Sequence, residues 1–187
     1  MPASPSPPSP PIGRPSPDEF APFYAGYVER VTEGDPLAAM VAARGETSAL
    51  LDGLSDRGAS HRYAPGKWSV KEIVGHLGDV ERVMAYRALR IARGDETPLA
   101  GFDENVYVPA GRFDARPLGD LVRELGAVRE ASLALFRSFD ADAWRRRGTA
   151  NGKTVSVRAL AYIIPGHERH HGQILRERYG IGGREGR

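Results

Sequence analysis

Five histidines stand in the sequence, at positions 61, 76, 167, 170 and 171, and three of them are spaced as metal ligands would be. His167 and His171 are four residues apart. On a helix that places them one turn apart on the same face, about 40° from each other. Leu160, Ile163, Ile164 and Ile174 fall around the same direction, so both imidazoles are expected to point inward. His76 stands in a second apolar stripe, between Ile73 and Val80, with Asp79 three residues on. Neutral imidazole is the commonest ligand for metals of borderline softness. Two at i and i+4 can chelate one ion, and a third from another helix completes a face. Three protein ligands leave at least one position open for water or substrate. From spacing alone the pair fits either chelation or two core histidines with satisfied hydrogen bonds. Asp79 also has two readings: a carboxylate that orients an imidazole or a bound water, and so a candidate catalytic residue, or a solvated residue at the edge of the stripe. His170 falls on the flank and His61 in a connecting segment.

The segment His167-Glu168-Arg169-His170-His171 matches H-E-x-x-H, the pattern of zinc peptidases with glutamate as general base. Peptidases of this type take a third ligand from a downstream segment. Only 16 residues follow His171 and none is histidine. The extended pattern asks for glycine and histidine where Ile174 and Glu177 stand. Glu168 lies about 100° from His167, which predicts an outward direction. The peptidase reading is therefore set aside.

These residues need helices to hold them, and helical periodicity is plentiful. A short helix is expected from about Asp18 to Thr32. The first long helix starts at Asp35-Pro36, a good N-cap followed by proline in the first turn, and ends near Gly53 with a stripe of Leu37, Met40, Val41, Leu50 and Leu51. The second begins at Ser69, with Glu72 three residues on as a capping box, and runs to about Ala92. A long connection from Gly94 to about Pro117 follows; connections of that length in compact domains are usually functional or cross the bundle. The third helix spans about Pro117 to Phe139. Asn151-Gly152 marks a turn, and the fourth helix runs from about Ser156 to Tyr179-Gly180, kinked at Pro165. Strand signals are poor. The predicted fold is all-α: a four-helix bundle with a long crossover loop, over residues 18–180. A disordered leader rich in Pro and Ser (1–17) precedes it, and a basic Gly/Arg tail (181–187) follows.

Of the 187 residues, 41% are hydrophobic and 27% charged, and the formal net charge is +2. That balance suits one soluble domain. It lacks the dense basic face of a nucleic-acid binder, so no nucleic-acid partner is expected. There is no cysteine, which excludes disulfides, thiolate ligands and a cysteine nucleophile. No apolar run is long enough to cross a bilayer, and Met1 to Pro17 has no signal-peptide core. A cytoplasmic protein without a membrane partner is the default expectation.

The run Tyr63-Ala64-Pro65-Gly66-Lys67-Trp68-Ser69-Val70-Lys71-Glu72-Ile73-Val74-Gly75-His76-Leu77-Gly78-Asp79 resembles the second-helix signature of the DinB-like proteins. Gly166-His167-Glu168-Arg169-His170-His171 resembles their fourth-helix signature, and Gly101-Phe102-Asp103-Glu104 and Gly148-Thr149-Ala150-Asn151-Gly152 resemble loop segments of one branch. The likeness extends from about Asp18 to Tyr179. It implies a four-helix bundle with one divalent metal ion on His76, His167 and His171. Zinc and nickel are the leading candidates, and iron or cobalt also suits three imidazoles. It implies a homodimer and a small-molecule substrate. Family members include mycothiol-dependent maleylpyruvate isomerases and bacillithiol transferases, so a low-molecular-weight thiol is an expected partner. Pro165, just before Gly166-His167, departs from the family pattern where a helix former is expected. The resulting expectation is a metal-dependent thiol S-transferase or hydrolase, the alternative being a non-catalytic metal-binding or stress-response module.

Overall fold

The computed structural model describes residues 12–182. Four long helices dominate it: α2 (Pro36–Leu51), α4 (Val70–Ala92), α6 (Leu118–Arg137) and α8 (Val157–Tyr179). Short elements join them: α1 (Ala25–Glu29), α3 (Asp56–Ala59), α5 (Glu104–Gly111), α7 (Ala141–Arg145), and a hairpin of β1 (Arg147–Ala150) and β2 (Lys153–Ser156). α8 packs on α2, α4 and α1, while α6 packs on α4 and α2, which closes the four long helices into a bundle.

The long helices start where local chemistry satisfies their free N–H groups. The Asp35 carboxylate accepts from the Leu37 and Ala38 amides. Ser69 and Glu72 form the reciprocal capping box of α4. Ser156 accepts from the Ala159 amide, and α8 closes on Gly180 in the left-handed region, which glycine enters without steric cost. The amide of Leu118 at the start of α6 is met from outside, by Asp56 of α3 at 2.7 Å.

Several expectations are corrected. The predicted helix from Asp18 to Thr32 is two 3-10 turns, Pro17–Glu19 and Pro22–Tyr24, followed by the five residues of α1; Pro22 has no N–H to continue a helix begun before it. The long connection is not bare loop, because Asp103 caps α5 and a 3-10 turn covers Phe113–Ala115. The chain is not free of strands: Asn151 and Gly152 both have positive φ, as a two-residue hairpin turn requires, and four residues on each side pair antiparallel. Leu99 hydrogen-bonds to Thr149 and Asn151, tying the long connection to this hairpin. Helix α8 is one continuous element through Pro165, as the sequence predicts.

The expected leader divides. Residues 1–11 lie outside the described residues, but Pro15 is buried, Ile12 packs against the core, and Arg14 donates to the carbonyls of Val28 and Val31. Of the expected tail, 183–187 lie outside the described residues, whereas Ile181 packs on the core and bonds back to Leu175. No helix among the described residues is long and apolar enough to cross a membrane.

The core has two apolar clusters. One gathers Met40, Met84, Phe136, Trp144, Leu160, Ile163 and Ile164 with their neighbours. The other gathers Leu50, Ile73, Leu77, Leu121, Leu125 and Leu175 with theirs. Buried polar side chains on α4, α6 and α8 include His76, Glu81, Arg129, His167, Glu168 and His171.

Candidate metal centre

His76 projects from α4, and His167 and His171 from α8; all three are buried. Their ring nitrogens converge. Nε2 of His167 is 3.2 Å from Nε2 of His76 and 3.1 Å from Nε2 of His171, and one ligand atom from each ring lies within 4.8 Å of the other two. A neutral imidazole Nε2 carries either one proton or one lone pair, so His167 Nε2 can satisfy only one of its two contacts as a hydrogen bond. A central cation accepts all three lone pairs. With metal–nitrogen bonds of about 2.0–2.1 Å, tetrahedral ligands stand about 3.3 Å apart and adjacent octahedral ones about 2.9 Å. The two observed separations lie between these values, so the residues present fit a divalent ion.

The protonation state fits as well. Burial pushes the pKa of His76 down to about 4. Burial, with His76 and His170 adding repulsion, takes His171 to about 3. His167 is held well below its ordinary value by burial first and then by the other histidines. All three rings are neutral near pH 7, the state a metal requires.

The backbone that aims these rings depends on two glycines, each directly preceding one of the converging histidines. A Cβ on Gly75 would sit 2.2 Å from the Phe113 ring, and one on Gly166 would sit 2.0 Å from the Tyr27 carbonyl oxygen. The glycines let Phe113 lie against α4 and α1 against α8. Tyr27 then meets the His167 ring edge-on at 5.3 Å. Trp68 stands 4.8 Å from His76 and stacks at 6.3 Å on His171.

Other sequence candidates stand elsewhere. Asp79 is half-buried outside the converging group, and its partner is Arg82 at 3.4 Å; burial holds its carboxyl above the ordinary value. His170 is half-buried against Tyr27, and His61 is exposed. Glu168 does not face outward as expected. It is buried, in an ion pair with Arg129 at 2.7 Å, because α8 packs on α2 and α4 and the long Arg129 side chain reaches it from α6, which packs on the same two helices. Trp68, Tyr27, Glu81 and Arg129 were not singled out by sequence reasoning. A signal existed for Arg129, which stands four residues from both Leu125 and Leu133 in the apolar stripe of α6. Trp68 precedes the N-cap Ser69, where an apolar residue staples a helix start.

Two clefts lie away from the histidines. One of about 440 Å3 is lined by Phe136, Phe139 and Trp144, and an open groove of about 490 Å3 runs between α4 and α6 along Tyr86, Leu89 and Leu135.

Among curated proteins none matches the sequence significantly. Among solved structures, YfiT from Bacillus subtilis, described as a probable metal-dependent hydrolase with an unusual four-helix bundle topology, superposes with a TM-score of 0.70 at 17% identity, covering 88% of this chain and 95% of its own. A mycothiol-dependent maleylpyruvate isomerase superposes with a TM-score of 0.65 at 16% identity, covering 79% of this chain; the match spans 60% of the isomerase. At such identities these likenesses show the fold. The family model of the DinB superfamily matches residues 39–175, well over half of the chain and inclusive of all three converging histidines, and the chain belongs to that superfamily.

Proposed function

We propose that this protein is a metal-dependent enzyme acting on a small molecule, with one divalent ion held by His76, His167 and His171, and that S-transfer from a low-molecular-weight thiol suits it better than hydrolysis. The observation that carries the reading is the convergence of three buried, neutral Nε2 atoms. A divalent ion bound there would supply Lewis acidity toward a coordinated thiol or water. The protein's own groups hold the site: Trp68 and Tyr27 pack against the imidazoles and limit their rotation. No carboxylate among the described residues joins the cluster to serve as general base. Asp79 is engaged with Arg82, and Glu168 with Arg129. A free thiol ionises at about pH 8.5, so it needs such a base less than water does. The two structural relatives, a probable metal-dependent hydrolase and a mycothiol-dependent isomerase, are consistent with either chemistry.

The same lack of a base leaves a second reading, a module that holds metal without catalysis. One experiment addresses both. Metal content is measured by elemental analysis for wild type and for His76→Ala, His167→Ala and His171→Ala, and the loaded protein is then assayed with thiols and electrophiles. Near-stoichiometric zinc or nickel in wild type, its loss in each variant, and thiol-dependent turnover are expected. Metal retained by the variants refutes the site. Tight metal without turnover favours the non-catalytic module.

A further inference from the structure

Three charged side chains buried next to the histidines have no place in the reading above. Arg129 of α6 is 1% exposed, and Glu81 of α4 and Glu168 of α8 are each 2% exposed. Arg129 donates from Nε and Nη2 to the two oxygens of Glu81, both at 2.9 Å, and from Nη2 to Glu168 Oε2 at 2.7 Å. Its Nη1 donates to the Met40 carbonyl of α2. One guanidinium therefore ties α6 to the other three long helices.

The cluster is unbalanced: two carboxylates face one guanidinium. A single glutamate would complete an ion pair, and burying a further charge costs free energy unless something offsets it. Glu168 is the member with spare capacity, since its Oε1 is buried with no hydrogen-bond partner among the described residues. Glu168 borders a small internal cavity of about 10 Å3, which is also lined by Glu81, Arg129 and His167, room for about one water molecule. Glu168 also directly follows His167, the ring whose Nε2 touches both other imidazoles. The three imidazoles are neutral and bring no charge of their own to a cation.

We propose that the Glu81–Arg129–Glu168 cluster is the counter-charge of the metal site: its excess carboxylate, borne by Glu168, favours a divalent cation at the neutral histidines through the low-dielectric layer they share. Outer-shell carboxylates that hydrogen-bond ligand imidazoles commonly change metal affinity ten- to a hundredfold, and here the carboxylate would act through charge alone. The proposal rests on the reading of the three histidines as ligands. It gives Glu168 a part different from that in H-E-x-x-H peptidases, since here it acts on the ion by charge and takes no proton from a substrate.

The test is zinc affinity of the metal-free full chain, measured by competition with a chromophoric chelator, for wild type, Glu168→Gln, Glu81→Gln and Glu168→Asp. Glu168→Gln should bind zinc about ten- to a hundredfold more weakly, with the unfolding midpoint of its metal-free form unchanged or raised. Glu81→Gln removes the same formal charge and should weaken binding comparably. Glu168→Asp keeps the charge and should recover most of the loss. Binding by Glu168→Gln within threefold of wild type overturns the proposal, as does an equal loss in Glu168→Asp, which would mark a packing role. If Glu168→Gln does not fold, Glu81→Gln decides: unchanged affinity overturns the proposal and weakened affinity sustains it. A wild type that takes up no zinc overturns the histidine reading and this proposal together, whereas a wild type that binds beside variants that bind equally overturns the proposal alone.

Discussion

Replacing Gly166 by alanine should destabilise the protein, and replacing Gly172 by alanine, six residues further along the same helix, should not. Both glycines are buried within α8, and in both cases alanine gains about 1 kcal/mol of helix propensity. The surroundings differ. At Gly172 the nearest atom to a new Cβ is the end of the Arg176 side chain, at 3.5 Å, which is ordinary contact. At Gly166 it is the backbone carbonyl oxygen of Tyr27, at 2.0 Å. Reaching ordinary contact requires α1 and α8 to part by roughly 1.4 Å, a rigid-body shift that no side-chain rotation can replace. Overpacking of this severity costs about 3 kcal/mol. Net of propensity, Gly166→Ala should lose about 2 kcal/mol and Gly172→Ala should gain up to about 1 kcal/mol. Urea unfolding of the metal-free forms measures both. In heating experiments a chain of this size shifts by about 2–4 °C per kcal/mol, so the variants should differ by several degrees. If Gly166→Ala is as stable as Gly172→Ala, the close approach of α1 to α8 is not what holds that glycine in place.

Three further outcomes are expected. Burial alone would raise the pKa of Glu19, but hydrogen bonds from Arg158, the Ser16 amide and Ser156 overcome it and hold the carboxyl at about 2. Since the folded pKa lies below the unfolded 4.5, this stability is complete above pH 4.5 and is lost as pH falls toward 2. The loss is at most about 3 kcal/mol, and Glu19→Gln should remove that part of the acid sensitivity in pH-dependent unfolding. Arg129→Met leaves Glu81 and Glu168 buried without their shared partner and should cost about 3–5 kcal/mol by denaturant titration; a loss under 1 kcal/mol would contradict the burial of the cluster. Trp68 lies 4.8 Å from His76, so Co2+ or Ni2+ at the histidines should quench tryptophan emission. Trp68→Phe should abolish the quenching, whereas Trp144→Phe should preserve it.

The helices that carry the candidate site were legible because each announces its own start. Ser69 with Glu72, Asp35 with Pro36, and Ser156 all cap where local chemistry places them. The three histidines were legible because each interrupts an apolar stripe, and a polar group there must be satisfied. Periodicity does not report which flank of a helix a neighbour will cover. Glu168 therefore read as exposed and is buried, paired with Arg129, while Val41 read as part of a buried stripe and is 53% exposed. The hairpin escaped because β1 and β2 have only four residues each, too few for alternation to register, although its Asn151-Gly152 turn was readable. Helix α5 escaped because Pro109 and Gly111 lie in its last turn, and local propensity counts both against a helix.

His76 and His167 stand 91 positions apart in the chain, and this would make the site a record of completed synthesis. A ribosome-bound chain that has not yet emitted α8 would own one of the three proposed ligands and no means of holding an ion. Once α8 docks, a dication held at the proposed site would become a reversible cross-link across half of the polypeptide. It would stabilise the folded form, by an amount that grows logarithmically with free metal. Resistance to unfolding in the cell would then track metal supply, so that starvation for the ion lowers the protein's abundance as well as its loading.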